Sequence, residues 1–145
     1  MGGVAGHAGL FASAENVASI MQMLLNGGSY DGMQYLKPET IKYFTGARAE
    51  NLKKNRRGLI FDKPVRDGGP GPTFDGISLD SFGHSGFTGT LAWADPKEEL
   101  VYVFLSNRVY PSAENKKLIR NNVRSDIQRL IYQAITDSDV STYNP

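Results

Sequence analysis

Phe82-Gly83-His84-Ser85-Gly86-Phe87-Thr88-Gly89-Thr90-Leu91-Ala92-Trp93-Ala94 runs into Asp95-Pro96-Lys97-Glu98-Glu99 and then Leu100-Val101-Tyr102-Val103-Phe104-Leu105. The first segment is rich in β-branched, aromatic and glycine residues, the second holds turn formers, and the third is almost wholly apolar. That order predicts an antiparallel hairpin whose second strand is buried on both faces or nearly so. After Pro111 the period changes to that of a helix. Ile119, Val123, Ile127, Leu130, Ile131 and Ala134 fall on one side, with Lys116, Lys117, Arg120, Arg124 and Arg129 on the solvent side or its border. A long helix with one apolar face is expected to lie across a sheet.

Upstream the reading is helical. Met1–Leu10 is glycine-rich and loop-like. Ser13 can cap a helix over Ala14–Leu25, with Glu15 in its first turn and Val17, Ile20, Met21 and Leu24 along one stripe. Asn26-Gly27-Gly28 stops it. A second, short helix is expected at Pro38–Phe44, started by proline and turning Ile41 and Phe44 inward. Gly58-Leu59-Ile60-Phe61 reads as a short strand, and Asp67–Pro72 as a loop of strong breakers. There is no internal repeat and no βαβ alternation. The expected class is α+β, in one partial domain over 1–145: helices and loops in 1–56, sheet strands with the hairpin in 57–110, and the C-terminal helix in 111–136. Two or three strands are a thin support for so long a helix, and further strands from elsewhere are expected to complete the sheet.

Composition narrows the chemistry. Lys and Arg total 16 against 15 Asp and Glu, for a net charge of +1, which gives no reason to expect nucleic acid or an acidic membrane as partner. The basic run Arg48–Arg57 is read as a solvated face. No stretch is apolar for long enough to span a bilayer. With no cysteine and only His7 and His84 as imidazoles, no metal site and no cofactor are expected.

In Gly83-His84-Ser85-Gly86-Phe87-Thr88-Gly89-Thr90 the glycines permit close approach of a ligand or neighbouring backbone, and His84, Ser85 and Thr88 offer polar groups. On spacing alone the segment reads equally as a ligand-lining edge strand or as a twisted strand with a surface hydroxyl. Ser85 fails as a Gly-x-Ser-x-Gly nucleophile, since Gly86 and Phe87 follow it. His84 is adjacent in an extended segment and faces the other way, which makes it a poor local base for Ser85. His7 is assigned a structural part in holding the glycine-rich loop.

Gly6-His7-Ala8-Gly9-Leu10-Phe11-Ala12-Ser13-Ala14-Glu15 with Met23-Leu24-Leu25-Asn26-Gly27-Gly28 resembles the later part of the serine β-lactamase and penicillin-binding-protein-like family. His84–Thr90, Trp93-Ala94-Asp95-Pro96 and Leu105-Ser106-Asn107-Arg108 resemble it as well, and the likeness is nearest the class C, esterase and DD-peptidase-like branches. The resemblance puts His84-Ser85-Gly86 at the Lys-Thr-Gly position on the strand bordering the active site. It implies that His84 replaces the lysine and that the Phe87 N–H is an oxyanion donor. His84, Ser85, Gly86 and Thr88 are then the substrate-binding set. One positioned N–H of this kind is worth roughly 3 kcal/mol in a transition state.

Neither Ser-x-x-Lys nor Tyr-x-Asn nor Ser-x-Asn occurs in the chain. In the family these carry the nucleophile, its activating lysine and a proton-transfer group. The chain is therefore expected to be inactive alone and to be the C-terminal portion of a serine hydrolase, its partner being the missing N-terminal segment of the same protein. The implied reaction is acyl transfer to serine and hydrolysis of the acyl-enzyme. The implied substrate is small or peptidic: an ester, a D-Ala-type peptide or a β-lactam. A periplasmic or otherwise extracytoplasmic parent follows from the same resemblance, and self-association through exposed fragment surfaces is expected. Two other readings stay open: a non-catalytic peptide or cell-wall ligand-binding protein on this scaffold, and an autonomous interaction module.

Overall fold

The computed structural model describes residue 3 and residues 5–46, 57–65 and 71–141. Helix α1 spans Ala14–Leu25, as its cap and stripe predict. The Asn16 N–H donates to Ser13 Oγ at 3.3 Å and the Ser13 N–H donates back to Asn16 Oδ1 at 3.4 Å, a reciprocal box that satisfies two otherwise orphaned donors. After Asn26 the backbone turns through Gly27 and Gly28. A Cβ at Gly28 would sit 2.1 Å from Leu36 O, so only glycine fits there. A two-stranded ribbon follows, β1 (Ser29–Tyr30) and β2 (Met33–Gln34), closed by Asp31-Gly32 with both residues at positive φ. This is the Asp-Gly hairpin turn, whose twist matches that of paired strands. Helix α2 covers Pro38–Thr45 with its proline in the first turn.

The main sheet has the order β3 (Phe82–Ser85), β4 (Leu91–Asp95), β5 (Leu100–Phe104), all antiparallel. Its α+β arrangement, with a long C-terminal helix, is that of a β-lactamase/transpeptidase-like fold. Helix α3 (Lys117–Arg120) and helix α4 (Val123–Ser141) end the described chain. Strand alternation separates two faces. Phe82, Ala92, Ala94 and Val101 pack against Val17, Met21 and Leu24 of α1. Leu91, Trp93, Tyr102 and Phe104 pack against Ile131 and Tyr132 of α4, together with Ile77 and Phe74. Trp93 is 1% exposed, and its indole N–H donates to the buried Ser81 Oγ at 2.9 Å, so the largest core side chain has no unpaired polar atom.

Several sequence expectations need correction. Gly58–Phe61 is not a strand. Arg57 and Asp62 bridge to one another and the Gly58 N–H donates to Phe61 O at 2.9 Å, so the four residues between close a turn. Strand β5 buries only Tyr102 fully. The predicted terminal helix is broken at Asn122, which takes φ 51°, a conformation asparagine tolerates. Leu130 is 64% exposed while Gln128 is buried, its Oε1 accepting from the Phe74 N–H at 3.3 Å. Ile20 and Phe44 also face outward, and Thr45 fills the inward position of α2. Apart from Arg57, the basic run Arg48–Arg57 lies outside the described residues, as do residues 67–70 of the predicted loop.

Candidate active site

Strand β3 is short because Gly86 ends it. The Gly86 N–H donates to Thr90 O and the Gly89 N–H to Gly86 O, both at 2.9 Å, which folds Gly86-Phe87-Thr88-Gly89 into a tight turn. Gly89 takes φ 93°, and a Cβ there would meet Ser106 Oγ at 2.6 Å. Gly83 is equally constrained. A Cβ on it would lie 2.3 Å from Ala92 O and 2.5 Å from Trp93 Cε3, so β3 can lie over the indole only with glycine at that position.

Two arginines brace the turn. Arg124 Nη1 donates to Gly89 O at 3.2 Å and Thr90 O at 3.3 Å. Burial pushes its guanidinium down from its ordinary range; nearby Tyr102 opposes that shift and Arg108 adds to it. Arg108 stacks on the Phe87 ring at 4.9 Å and donates to Ala113 O and Asn115 O. Its own N–H, and the Ser106 hydroxyl, donate to Thr88 O at 2.9 and 3.0 Å. The turn thus rests on the loop after β5 and on the first turn of α4.

The side chains separate around this turn. His84 shares the α1 side of β3 with Phe82, and Ser85 lies on the other side, as the alternation predicts. The His84 imidazole is 56% exposed, and its Nδ1 lies 3.3 Å from Oδ2 of Asp62, whose side chain is 2% exposed. Asp62 Oδ1 in turn lies 3.2 Å from Arg57 Nε. Phe87 is 72% exposed, and among the described residues its N–H meets no acceptor. His7 stands exposed on a turn closed by Ala5 and Ala8 backbone bonds, so the backbone and not its imidazole holds that loop.

Asp62 and the two arginines escaped the sequence reading. Asp62 follows a segment that reads as a strand, and Arg124 reads as a solvent-side charge. Leu105-Ser106-Asn107-Arg108 was marked as a motif, but nothing in it pointed to the turn. A groove of about 430 Å³ lies elsewhere, bounded by Leu24, Ile41, Lys63, Leu79 and Phe82 among others. None of residues 84–88 lines it. Among the described residues no group of three His, Cys, Asp or Glu could hold a metal ion, and no helix is long and apolar enough to cross a membrane.

A family model described as beta-lactamase matches residues 1–124. The chain belongs to the β-lactamase family. An Escherichia coli (strain K12) protein provisionally named D-alanyl-D-alanine carboxypeptidase is 38% identical over 119 residues, which cover 81% of this chain and 26% of that protein. A Salmonella agona (strain SL483) protein of the same provisional name is 35% identical over 125 residues, covering 83% of this chain and 27% of that one. The crystal structure of a novel penicillin-binding protein homologue from Caulobacter crescentus superposes with a TM-score of 0.50 at 30% identity, over 66% of this chain and 26% of that chain. This β-lactamase-family chain therefore spans about a quarter of the length of the curated relatives it matches. The family match takes in β3, its turn and both bracing arginines, and stops within the first residues of α4.

Proposed function

We propose that this chain forms the strand-side wall of the active site of a serine hydrolase that works through an acyl-enzyme, as the C-terminal portion of that enzyme. The observation that carries the reading is the turn after β3. It holds a Phe87 N–H that, among the described residues, meets no acceptor, three positions along the chain from an exposed His84 and on a strand end buttressed from two sides. A donor so placed suits the charge that develops on a carbonyl oxygen during acyl transfer. Ser85, Gly86 and Thr88 would line the substrate path, Ser85 with its hydroxyl and Gly86 by letting the backbone approach.

The nucleophile and its lysine are absent from these 145 residues, so in this reading they come from sequence outside them. The provisional name of the relatives favours a D-alanyl-type peptide among the ester, peptide and β-lactam substrates. An extracytoplasmic parent belongs to the same reading. The test uses the protein extended through its own coding sequence, treated separately with a fluorophosphonate and a penicillin and weighed intact. One covalent adduct on a serine of a Ser-x-x-Lys segment is the expected result. A folded protein that forms no adduct with either probe would instead be a binding protein on this scaffold.

A further inference from the structure

We infer that Asp62 is a positioning residue for His84, holding the proton of the neutral imidazole on Nδ1 and leaving Nε2 as the acceptor. Asp62 is anchored before its side chain does anything. Its N–H donates to Gly83 O at 2.8 Å and its carbonyl accepts from the Gly83 N–H at 3.1 Å, which fixes it beside the outer edge of β3. Its carboxylate is buried, with one oxygen 3.2 Å from Arg57 Nε and the other 3.3 Å from His84 Nδ1. A bare Nδ1 would set its lone pair against that oxygen. A protonated Nδ1 brings a positive hydrogen toward that charge, across a close contact that the structure does not yet close into a hydrogen bond.

A neutral imidazole has a single N–H, so a proton held at Nδ1 leaves Nε2 as an acceptor on a half-exposed ring. Protonation of the ring turns the same atom into a donor. The lysine that the family resemblance puts at this position donates only. With Asp62 behind it, His84 can take a proton from a hydroxyl or give one back at a single outward atom. Carboxylates orient catalytic imidazoles in this way elsewhere. The inference rests on the reading of β3 as an active-site wall for its use, but not for its test.

The chain has two histidines, His84 and the exposed His7. Long-range ¹H–¹⁵N correlation spectra of the ¹⁵N-labelled 145-residue protein at about pH 9, where imidazole is neutral, report both tautomers at once. His84 should be chiefly the Nδ1–H form and His7 chiefly the Nε2–H form usual for a free imidazole. Asp62→Ala should move His84 to the pattern of His7. The wild-type spectrum decides even where that variant does not fold: a His84 that is chiefly Nε2–H overturns the inference, as does a tautomer unmoved in a folded Asp62→Ala. Acylation is measured separately, so an Nδ1–H His84 in the 145-residue protein, with no adduct on the extended one, sinks the hydrolase reading and leaves the Asp62–His84 pairing standing.

Discussion

The Tyr132 hydroxyl donates to Asp95 Oδ2 at 2.7 Å, tying α4 to the last residue of β4. Asp95 is 1% exposed. Burial alone would raise its carboxyl, but the Ser78 hydroxyl, the Tyr132 hydroxyl and the N–H groups of Lys97 and Ser78 together outweigh it and hold the group below its ordinary value. Tyr132 is pushed upward, first by its own burial and then by Asp95, and so stays a donor. A helix and a hairpin are thereby locked through one carboxylate.

A carboxyl lowered on folding stabilises the fold above its unfolded value, about 3.9, and loses that contribution as pH falls from there through the lower folded value. Asp95→Asn should therefore cost about 3 kcal/mol at neutral pH and flatten the acid limb of stability. Urea midpoints from about pH 6 down to pH 2 check both. An Asn variant as acid-sensitive as the wild type would remove Asp95 from the account.

Gly83→Ala places a methyl against Ala92 O and the Trp93 ring. Overpacking of this kind costs about 1–3 kcal/mol. The expected outcome is a lower denaturant midpoint followed by Trp93 fluorescence, with an unchanged slope. An alanine tolerated without loss would mean that β3 does not lie on the indole.

Arg124→Ala frees the Gly89 and Thr90 carbonyls. Hydrogen bonds from a charged donor contribute about 1.5–3 kcal/mol, so the turn should loosen ahead of the rest of the sheet. Amide exchange is the direct reading: the Gly86 and Gly89 N–H groups should exchange faster while those within β4 hold. Uniform acceleration across the sheet would mean that Arg124 supports the whole fold and has no particular hold on the turn.

Ser85→Ala distinguishes a substrate contact from a nucleophile. In the extended protein, kcat/KM should fall about tenfold, the effect of losing roughly 1.4 kcal/mol of hydrogen bonding, while the fluorophosphonate adduct still forms. Complete loss of the adduct in a folded variant would make Ser85 the nucleophile and overturn the assignment of that role to sequence outside the chain.

Much of this fold is written locally. Ser13, Asn16 and the apolar stripe define α1 to the residue, because capping and periodicity act within one or two turns. Asp95–Glu99 reverses β4 into β5 for the same short-range reason. The Asp31-Gly32 turn carried an equally local signal that the sequence reading passed over. The opposite facing of His84 and Ser85 followed from strand alternation alone.

What the tertiary structure decided is which of these surfaces meet. Gln128 is buried and Leu130 exposed because the Phe74 segment, far away in sequence, offers an N–H where periodicity would place another aliphatic side chain. Leu59 and Ile60 look like strand residues, but Arg57 and Asp62 pair around them and turn them out. Asp62 reaches His84, and Arg124 reaches Gly89 and Thr90, across separations that no window of sequence spans. Local propensity specifies the elements, since its energies arise between near neighbours. The candidate site depends on long-range packing, and its partners become visible only once the sheet has brought them together.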